Sequence, residues 1–333
     1  MKPVIFGLAG PALTPDEAAF FRAAEPAGFI LFKRNCENRA QLRALTDALR
    51  DLTGRADLPI LIDQEGGRVA RMQPPEWPAF PAGPAFDVLY DKAPISAIEA
   101  ARANAHAIAL TLAESGITVN CLPLLDVRAP ETTEAVACRA LGSDPRRVAA
   151  LGRAVLDGLA AGGVIGVVKH MPGHGRARVD SHHQLPTVSA PAEELASDLA
   201  PFQALRDAPM GMTAHIVFEA WDAHRPATLS PTVIEQVIRA AIGFDGLLMT
   251  DDIDMKALSG TAGEKAAGAL AAGVDLVLDC WARMPEMEEI AERIGEITPA
   301  TKVRLDRAMS KLQPAEGDLA ELIAKRDALL GLV

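Results

Sequence analysis

The chain of 333 residues is poor in aromatic side chains and in positive charge, and each shortage excludes a class of protein. Aromatic residues make up 4% of the chain, which is too few for the stacking surfaces that bind single-stranded nucleic acids. Lys and Arg number 33 against 44 Asp and Glu, so the net charge is −11 and no basic footprint for nucleic acid or an anionic membrane is expected. We therefore expect neither nucleic acid nor membrane as a partner.

Cysteine is also scarce, and long apolar runs are missing. The four cysteines lie far apart, at positions 36, 121, 138 and 280, and form no C-x-x-C pair. This spacing favours reduced thiols over a disulfide framework or a zinc site. The apolar start of the chain is interrupted by Pro11 and Pro15, too early for a signal peptide, and no run reaches the roughly 18 apolar residues of a membrane span. These features predict a cytoplasmic protein.

What the chain does contain is a regular alternation of short apolar segments with longer helical patterns. Near-continuous apolar strands that alternate with helices are typical of a parallel sheet buried on both faces. Eight such units predict an α/β fold with a single TIM-like (β/α)8 barrel. The alternative is a doubly wound open sheet, but its dinucleotide-binding version lacks support because no G-x-G-x-x-G follows the first strand. The predicted strands are 4–8, 28–32, 59–63, 118–122, 164–169, 211–215, 246–250 and 274–278.

The helical patterns carry the start and stop residues expected of helices. Thr14, Asp144 and Ser230 each precede a proline at a predicted helix start. The Pro-rich stretch 74–84 is predicted to be a loop, and helices at about 285–297 and 300–330 form a C-terminal helical extension. We thus expect residues 1–333 to form one barrel domain. The other predicted helices are 15–25, 39–52, 95–115, 145–161, 193–206, 231–241 and 263–272.

Polar residues end most of the predicted strands. In (β/α)8 barrels the active site lies at the carboxyl ends of the strands, so these side chains are candidates for chemistry. The alternative for any one of them is a cap on the following helix, since Asp is a favoured N-cap. The strand-end residues are Asp63, Gln64, Glu65, Asp126, Lys169, His170, His215, Asp251, Asp252 and Asp279.

The densest chemical signal is the segment 169–183, which holds four of the seven histidines. Three interpretations stay open from the residues alone. A metal site is possible in principle, but the Pro/Gly loop cannot offer the helical i,i+4 zinc geometry. The histidines could instead support a structural turn. In the third interpretation, Asp180 and His182 form a carboxylate–imidazole pair that donates a proton near neutral pH.

Two further segments carry candidate side chains. A buried strand ends at Asp251 and Asp252, and one of these carboxylates could be a nucleophile or could only cap a helix. In the segment 60–71, Asp63 could accept hydrogen bonds from sugar hydroxyls and Arg71 could donate to a polar substrate. The alternative for that segment is a pair of structural ion pairs, Glu65 with Arg68 and Asp63 with Arg71.

Together these three segments resemble the family 3 glycoside hydrolases, and most of all the bacterial β-N-acetylhexosaminidases of cell-wall recycling. The hallmark of that family has the form K-H-F-P-G-H-G-x(4)-D-S/T-H. Here it runs from Lys169 to His182, with Met171 in place of Phe. The resemblance covers nearly the whole chain, although Arg176-Ala177-Arg178 replaces a more usual acidic start to the loop.

The resemblance implies a retaining mechanism with no metal and no cofactor. Asp251 matches the family nucleophile, His182 matches the acid/base, and Asp180 matches its orienting partner. The usual retaining design has two carboxylates, so a histidine in the second role is a peculiarity of this subfamily. The positions that match those holding the sugar at the cleavage site are Asp63, Arg71, Arg139, Lys169 and His170.

The expected activity is that of an exo-acting β-N-acetylglucosaminidase. Its substrate would be a small carbohydrate, namely peptidoglycan fragments in which terminal N-acetylglucosamine is joined to 1,6-anhydro-N-acetylmuramic acid, with or without peptide. The alternatives are a family 3 β-glucosidase, xylosidase or phosphorylase, and a metal-dependent hydrolase that uses the histidine cluster. The sequence does not determine the oligomeric state, and we expect a monomer.

Overall fold

A computed structural model describes residues 1–332 and contains a closed barrel of eight parallel strands. The barrel strands are β1 Lys2–Gly7, β2 Pro26–Leu31, β3 Ile60–Ile62, β4 Val119–Asn120, β5 Ile165–Met171, β7 Met210–Thr213, β9 Leu247–Asp252 and β10 Leu276–Asp279. They follow one another around the barrel in chain order, and β10 closes on β1 through a parallel register that pairs Phe6 with Asp279. The predicted TIM-like (β/α)8 fold is confirmed, and the open sheet is wrong.

Two short strands lie outside the barrel and were not predicted. They are β6 Thr187–Val188 and β8 Val217–Phe218, which pair in parallel as a separate two-stranded sheet. Two residues are too few to give an alternating pattern that a sequence could reveal. The sheet ties the segment after Pro186 to the chain that follows β7, because Val217 N donates to the carbonyl of Pro186.

Helices surround the barrel, and their starts follow the local sequence. Thr14 accepts the backbone N–H of Glu17 while the Glu17 side chain returns to the backbone of Thr14, a capping box. The helices are α1 Pro15–Ala24, α2 Arg39–Thr53, α3 Gly83–Lys92, α4 Pro94–Glu114, α5 Glu134–Ala137, α6 Pro145–Ala161, α7 Ala192–Ala204, the π-helix Val233–Ile242, α8 Ala262–Ala271, α9 Met284–Arg293, α10 Pro299–Met309 and α11 Leu319–Leu330.

The barrel strands are buried on both faces. On β1, Ile5 packs inside the barrel with Ile30 of β2 and Leu61 of β3. The next residue, Phe6, points outward and its ring centroid lies 6.2 Å from that of Phe21 on α1. Successive side chains of a strand face opposite sides, so a strand covered by helices needs apolar residues at every position. This explains the near-continuous apolar runs of the sequence.

The C-terminal extension differs from its prediction. The single helix predicted over 300–330 is wrong, because α10 and α11 are separate and the connecting segment contains Pro314 and Gly317. Gly317 has a φ of +124°, which side-chain-bearing residues rarely adopt. The extension docks on α4, where Arg326 Nη1 donates to Asn104 Oδ1 at 3.2 Å. Among residues 1–332, no helix combines the length and apolar composition needed to cross a membrane.

Candidate active site

The carboxyl ends of the barrel strands surround a cleft of about 520 Å³. Strand ends are the usual place for a site in this fold, because the βα loops can vary there without disturbing the barrel. Every residue that the family resemblance assigned to catalysis or sugar binding lines this cleft. These residues are Asp63, Arg71, Arg139, Lys169, His170, Asp180, His182 and Asp251.

The floor of the cleft is built on the ammonium group of Lys169. Its Nζ lies 2.9 Å from Asp63 Oδ1 and 2.8 Å from Glu65 Oε1, and its side chain is only 2% exposed. On the other side of Asp63, Oδ2 accepts from Arg71 Nη2 at 3.2 Å. The predicted ion pair between Asp63 and Arg71 is therefore present, and Asp63 lies between two cations.

Arg139 completes this network from the loop after α5. Its guanidinium donates to both carboxylate oxygens of Glu65, with Nε 2.7 Å from Oε2. Two parallel hydrogen bonds of this kind fix the orientation of both planar groups. The alternative ion pair between Glu65 and Arg68 is wrong, since Arg68 donates instead to the carbonyl of Ala135 at 3.2 Å.

The charges of the floor hold one another in the ionised state. Burial alone would raise the pKa of the Asp63 carboxyl, but Lys169 and Arg71 outweigh it and lower the pKa below its usual range. Burial would likewise raise the pKa of Glu65, which Arg139 and Lys169 bring down. For Lys169, burial favours the neutral amine, yet the two carboxylates raise the pKa of its ammonium. The floor therefore stays ionised and presents fixed charges to the cleft.

Glu65 is the residue that the sequence interpretation underestimated. Glu65 comes three residues after β3, and its partners are Arg139, 74 residues further along the chain, and Lys169 on β5. A strand-end carboxylate beside two cations could have been suspected once the barrel had placed β3 and β5 on either side of β4. The order of residues along the chain could not show this pairing of Glu65 with Arg139 and Lys169.

Asp251 stands near the end of β9 with one oxygen directed at the cleft. Oδ1 accepts the backbone N–H of Asp252 at 2.8 Å, which fixes the carboxylate, and Oδ2 lies 3.9 Å from His170 Nε2. Burial would raise the pKa of Asp251, but the imidazoles of His170 and His215 outweigh it and keep the pKa below its usual value. Asp251 is thus an ionised and oriented carboxylate, as a nucleophile needs to be.

His170 is oriented by a carboxylate behind it. Asp126 Oδ2 lies 2.8 Å from His170 Nδ1, and Asp126 Oδ1 accepts the backbone N–H groups of His170 and His174. Burial works against ionisation of Asp126, but the neighbouring His170 brings its pKa down to about 2. The Nε2 edge of His170 is therefore presented to Asp251 in one fixed orientation.

Asp180 and His182 lie on the loop between β5 and β6, at the edge of the cleft. The ring Nδ1 of His182 is 2.7 Å from Asp180 Oδ1, so the predicted carboxylate–imidazole pair is formed. The His182 side chain is 65% exposed, which leaves its Nε2 edge accessible to a substrate entering from solvent. This is a group that can give a proton to a leaving oxygen and take one from water.

His174 and His215, which follows β7, have structural partners, whereas His183 lines the cleft. His174 is buried, and burial lowers its pKa to about 4, so it stays neutral against the ring of His170. His215 places Nδ1 2.7 Å from Thr228 Oγ1 and Nε2 2.9 Å from the carbonyl of Asp252. Across residues 1–332, no three His, Cys, Asp or Glu side chains converge to hold a metal ion.

The mouth of this closed parallel barrel holds a fixed carboxylate, a carboxylate–imidazole pair and a charged floor. Such a set of groups fits an enzyme of the glycoside hydrolase class. The family described as "Glycosyl hydrolase family 3 N terminal domain" matches residues 13–314. The chain belongs to this family and is a glycoside hydrolase.

Individual relatives agree with this assignment over most of their length. The β-hexosaminidase of Bordetella avium is 36% identical over 92% of this chain and 88% of its own. The β-hexosaminidase of Chromobacterium violaceum is 36% identical over 98% of this chain and 91% of its own. The crystal structure of NagZ from Neisseria gonorrhoeae in complex with N-trifluoroacetyl-D-glucosamine superposes with a TM-score of 0.88 at 30% identity, covering 99% of this chain and 98% of that one.

Proposed function

We propose that this enzyme is a retaining, exo-acting β-N-acetylglucosaminidase that forms a covalent glycosyl intermediate on Asp251. The observation that carries the proposal is the joint presence in one cleft of the ionised Asp251 and the Asp180–His182 pair. Retaining hydrolysis needs a nucleophile at the anomeric carbon and a separate group that serves first as acid and then as base. These side chains supply both roles.

In the first step, one Asp251 oxygen attacks the anomeric carbon as the bond to the leaving oxygen breaks. The electron pair of that bond stays with the leaving oxygen, which takes a proton from His182 Nε2. Asp180 stabilises the charged imidazole before the transfer and holds Nδ1–H in place. The products of this step are the glycosyl ester on Asp251 and the free leaving group.

In the second step, a water molecule attacks the anomeric carbon of the ester. His182 Nε2, now neutral, accepts a proton from that water, and the carboxylate of Asp251 departs. Two displacements at one carbon return the β configuration to the released sugar. The floor formed by Asp63, Lys169 and Arg71 would hold the sugar hydroxyls throughout, with Arg139 and His170 beside them.

The preference for an N-acylated amino sugar is supported by the relatives. Two of them carry the name β-hexosaminidase, and the NagZ structure holds an N-acylated glucosamine. We propose that the natural substrates are peptidoglycan fragments with terminal N-acetylglucosamine on 1,6-anhydro-N-acetylmuramic acid. We further propose that residues 1–333 act as one catalytic domain on such small carbohydrates, as a monomer in the cytoplasm, where four free thiols remain reduced.

A panel of aryl β-glycosides tests the proposed function. We expect hydrolysis of the N-acetylglucosaminide far faster than of the glucoside or xyloside, with no stimulation by phosphate and no loss after exhaustive chelation. Faster turnover of the glucoside or xyloside would show a different sugar specificity, and a phosphate requirement would show a phosphorylase. Abolition of activity by chelation would support a metal-dependent hydrolase and refute the proposal.

A further inference from the structure

Trp281 lines the cleft two residues after the end of β10, and no step of the reaction described above uses it. It is 56% exposed, whereas Trp77, another of the three tryptophans, is buried in the core. Single exposed apolar side chains are common on protein surfaces, so only the contacts that fix Trp281 can distinguish a functional ring from an incidental one. Neighbouring residues hold the exposed indole in one position.

The indole of Trp281 is fixed at its polar end. Its Nε1–H donates to Asp252 Oδ2 at 3.0 Å, and Asp252 Oδ1 in turn accepts the backbone N–H of Cys280 at 3.3 Å. Asp252 follows the proposed nucleophile Asp251 in the same strand. The hydrogen bond to Asp252 therefore fixes the indole relative to the neighbouring carboxylate of Asp251.

The guanidinium of Arg283 lies over the indole ring of Trp281. The guanidinium carbon of Arg283 lies 5.9 Å from the ring centroid, and Arg283 is itself held by ion pairs with Asp254 and Glu286. Trp281 lines the cleft, while Arg283 is not among the described residues 1–332 that do so. Arg283 thus contacts the indole without itself lining the cleft.

The backbone between these two side chains is strained. Ala282 has a φ of +56°, a left-handed conformation that residues with a Cβ rarely adopt. Such a conformation persists where the surrounding contacts require it, and it is enriched at functional sites. Here it joins the residue that faces the cleft to the residue that supports it.

We propose that Trp281 is a stacking platform for the leaving group, which makes it a specificity residue for substrates whose leaving group is a ring. The proposal rests on the proposed function. In exo cleavage the terminal sugar occupies the charged floor near Lys169, so the leaving group points to the rim and solvent. A pyranose presents a face of C–H groups with partial positive charge, and the negative face of an indole attracts it. The ligand class is a cyclic leaving group, either a pyranose or an aromatic ring.

The test compares two substrates that share the cleaved sugar. One is the β-1,4-linked N-acetylglucosamine disaccharide, with a pyranose leaving group, and the other is the methyl β-N-acetylglucosaminide. For Trp281→Ala we expect kcat/KM on the disaccharide to fall by about tenfold, mostly through KM, with less than about twofold change on the methyl glycoside. Trp281→Phe should keep most of the disaccharide activity, and Trp221→Phe, outside the cleft, should change neither substrate.

Equal losses on both substrates would overturn the platform while leaving the proposed function intact. A loss that follows the acetamido group, measured by comparing glucosides with N-acetylglucosaminides of the same leaving group, would also overturn it. If the wild-type enzyme hydrolyses neither N-acetylglucosaminide, the proposed function fails, and the same pair of leaving groups on glucose then tests the platform. Thermal unfolding of both Trp281 variants checks that each is folded.

Discussion

The imidazole Nδ1 of His182 lies 2.7 Å from Oδ1 of Asp180, and the same carboxylate oxygen accepts the backbone N–H of His182. These two hydrogen bonds hold the His182 ring against the Asp180 carboxylate, although both residues lie on a loop. The pair occupies the edge of the cleft, where the His182 ring is exposed to solvent. Its geometry is that of a proton donor and acceptor built on a loop.

This geometry makes a prediction about leaving groups. We expect His182→Ala to lower kcat/KM for the disaccharide by about 10²- to 10⁴-fold, because an alkoxide leaves poorly without a proton. An aryl glycoside with an acidic phenol leaving group should lose much less, and its bond-breaking step should be nearly unaffected. Steady-state kinetics on both substrates gives the comparison. His224→Ala, in an exposed loop outside the cleft, is the control, and equal losses on the two substrates would refute the acid role.

The floor of the cleft predicts a large effect on stability. Glu65→Gln removes the carboxylate that both Arg139 and Lys169 contact, so Arg139 loses its ion-pair partner and Lys169 keeps only Asp63. We expect the free energy of unfolding to fall by about 3 kcal/mol, since breaking one partner of a buried ion pair is strongly destabilising. Urea unfolding measures the change.

An exposed ion pair supplies the control for Glu65. Asp306 pairs with Lys302 one turn away on α10, and both side chains are more than half exposed. Asp306→Asn should change the free energy of unfolding by less than about 0.5 kcal/mol, because solvent screens such pairs. Similar small changes for both variants would mean that the floor does not stabilise the barrel.

The fold was largely predictable from the sequence, and the exceptions have physical causes. All eight barrel strands were predicted, because burial on both faces imposes continuous apolar runs that a sequence displays. The helix α3 was missed because it begins at Gly83-Pro84, inside a Pro-rich stretch whose composition resembles a loop. The helices α10 and α11 were merged because both carry periodic apolar residues, and only Pro314 and Gly317 mark the break.

The site divides in the same way. The Asp180–His182 pair could be proposed because its members are neighbours in sequence, and a local motif keeps local geometry. The pairing of Glu65 with Arg139 could not, because it depends on how the loop after α5 folds over the barrel. The support of His170 by Asp126, 44 residues away, also required the three-dimensional arrangement.

A buried acid beside the cleft predicts how stability varies with pH. Burial, with repulsion from Asp252, raises the pKa of the Asp279 carboxyl to about 7, and its Oδ2 has no hydrogen-bond partner. The carboxyl of an Asp in an unfolded chain has a pKa of about 4. Between about pH 4 and about pH 7, Asp279 is therefore protonated in the folded protein and ionised in the unfolded chain. Stability therefore falls as pH rises through this window, by up to about 1.4 kcal/mol per pH unit.

The variant Asp279→Asn removes that titration. We expect its stability relative to the wild type to increase between about pH 5 and about pH 8, as measured by urea unfolding at both values. Asp245 gives the matched control: hydrogen bonding from Arg307 lowers the pKa of Asp245, which places its titration below this window. Asp245→Asn should differ from the wild type equally at both pH values. Parallel behaviour of the two variants would contradict the raised pKa of Asp279.

Removal of the proposed nucleophile should abolish turnover of every substrate. We expect Asp251→Ala to lower kcat by at least about 10³-fold on aryl and disaccharide substrates alike, because no covalent intermediate can form. Azide should restore part of the activity by occupying the vacated space, with an α-glycosyl azide as product. Asp222→Ala, a carboxylate outside the cleft, should keep wild-type kcat. Residual activity near the wild-type value would refute the assignment.

The central claim is that the sugar forms a covalent ester with Asp251, which water then hydrolyses. Rapid acid quenching of the wild-type enzyme during turnover of an activated aryl N-acetylglucosaminide, followed by peptide mapping with mass spectrometry, tests this directly. We expect one peptide, the one containing Asp251, to carry the mass of a glycosyl ester, and the adduct to disappear in Asp251→Ala. An adduct on another carboxylate, or retention of the β configuration with no adduct on any peptide, would contradict the mechanism.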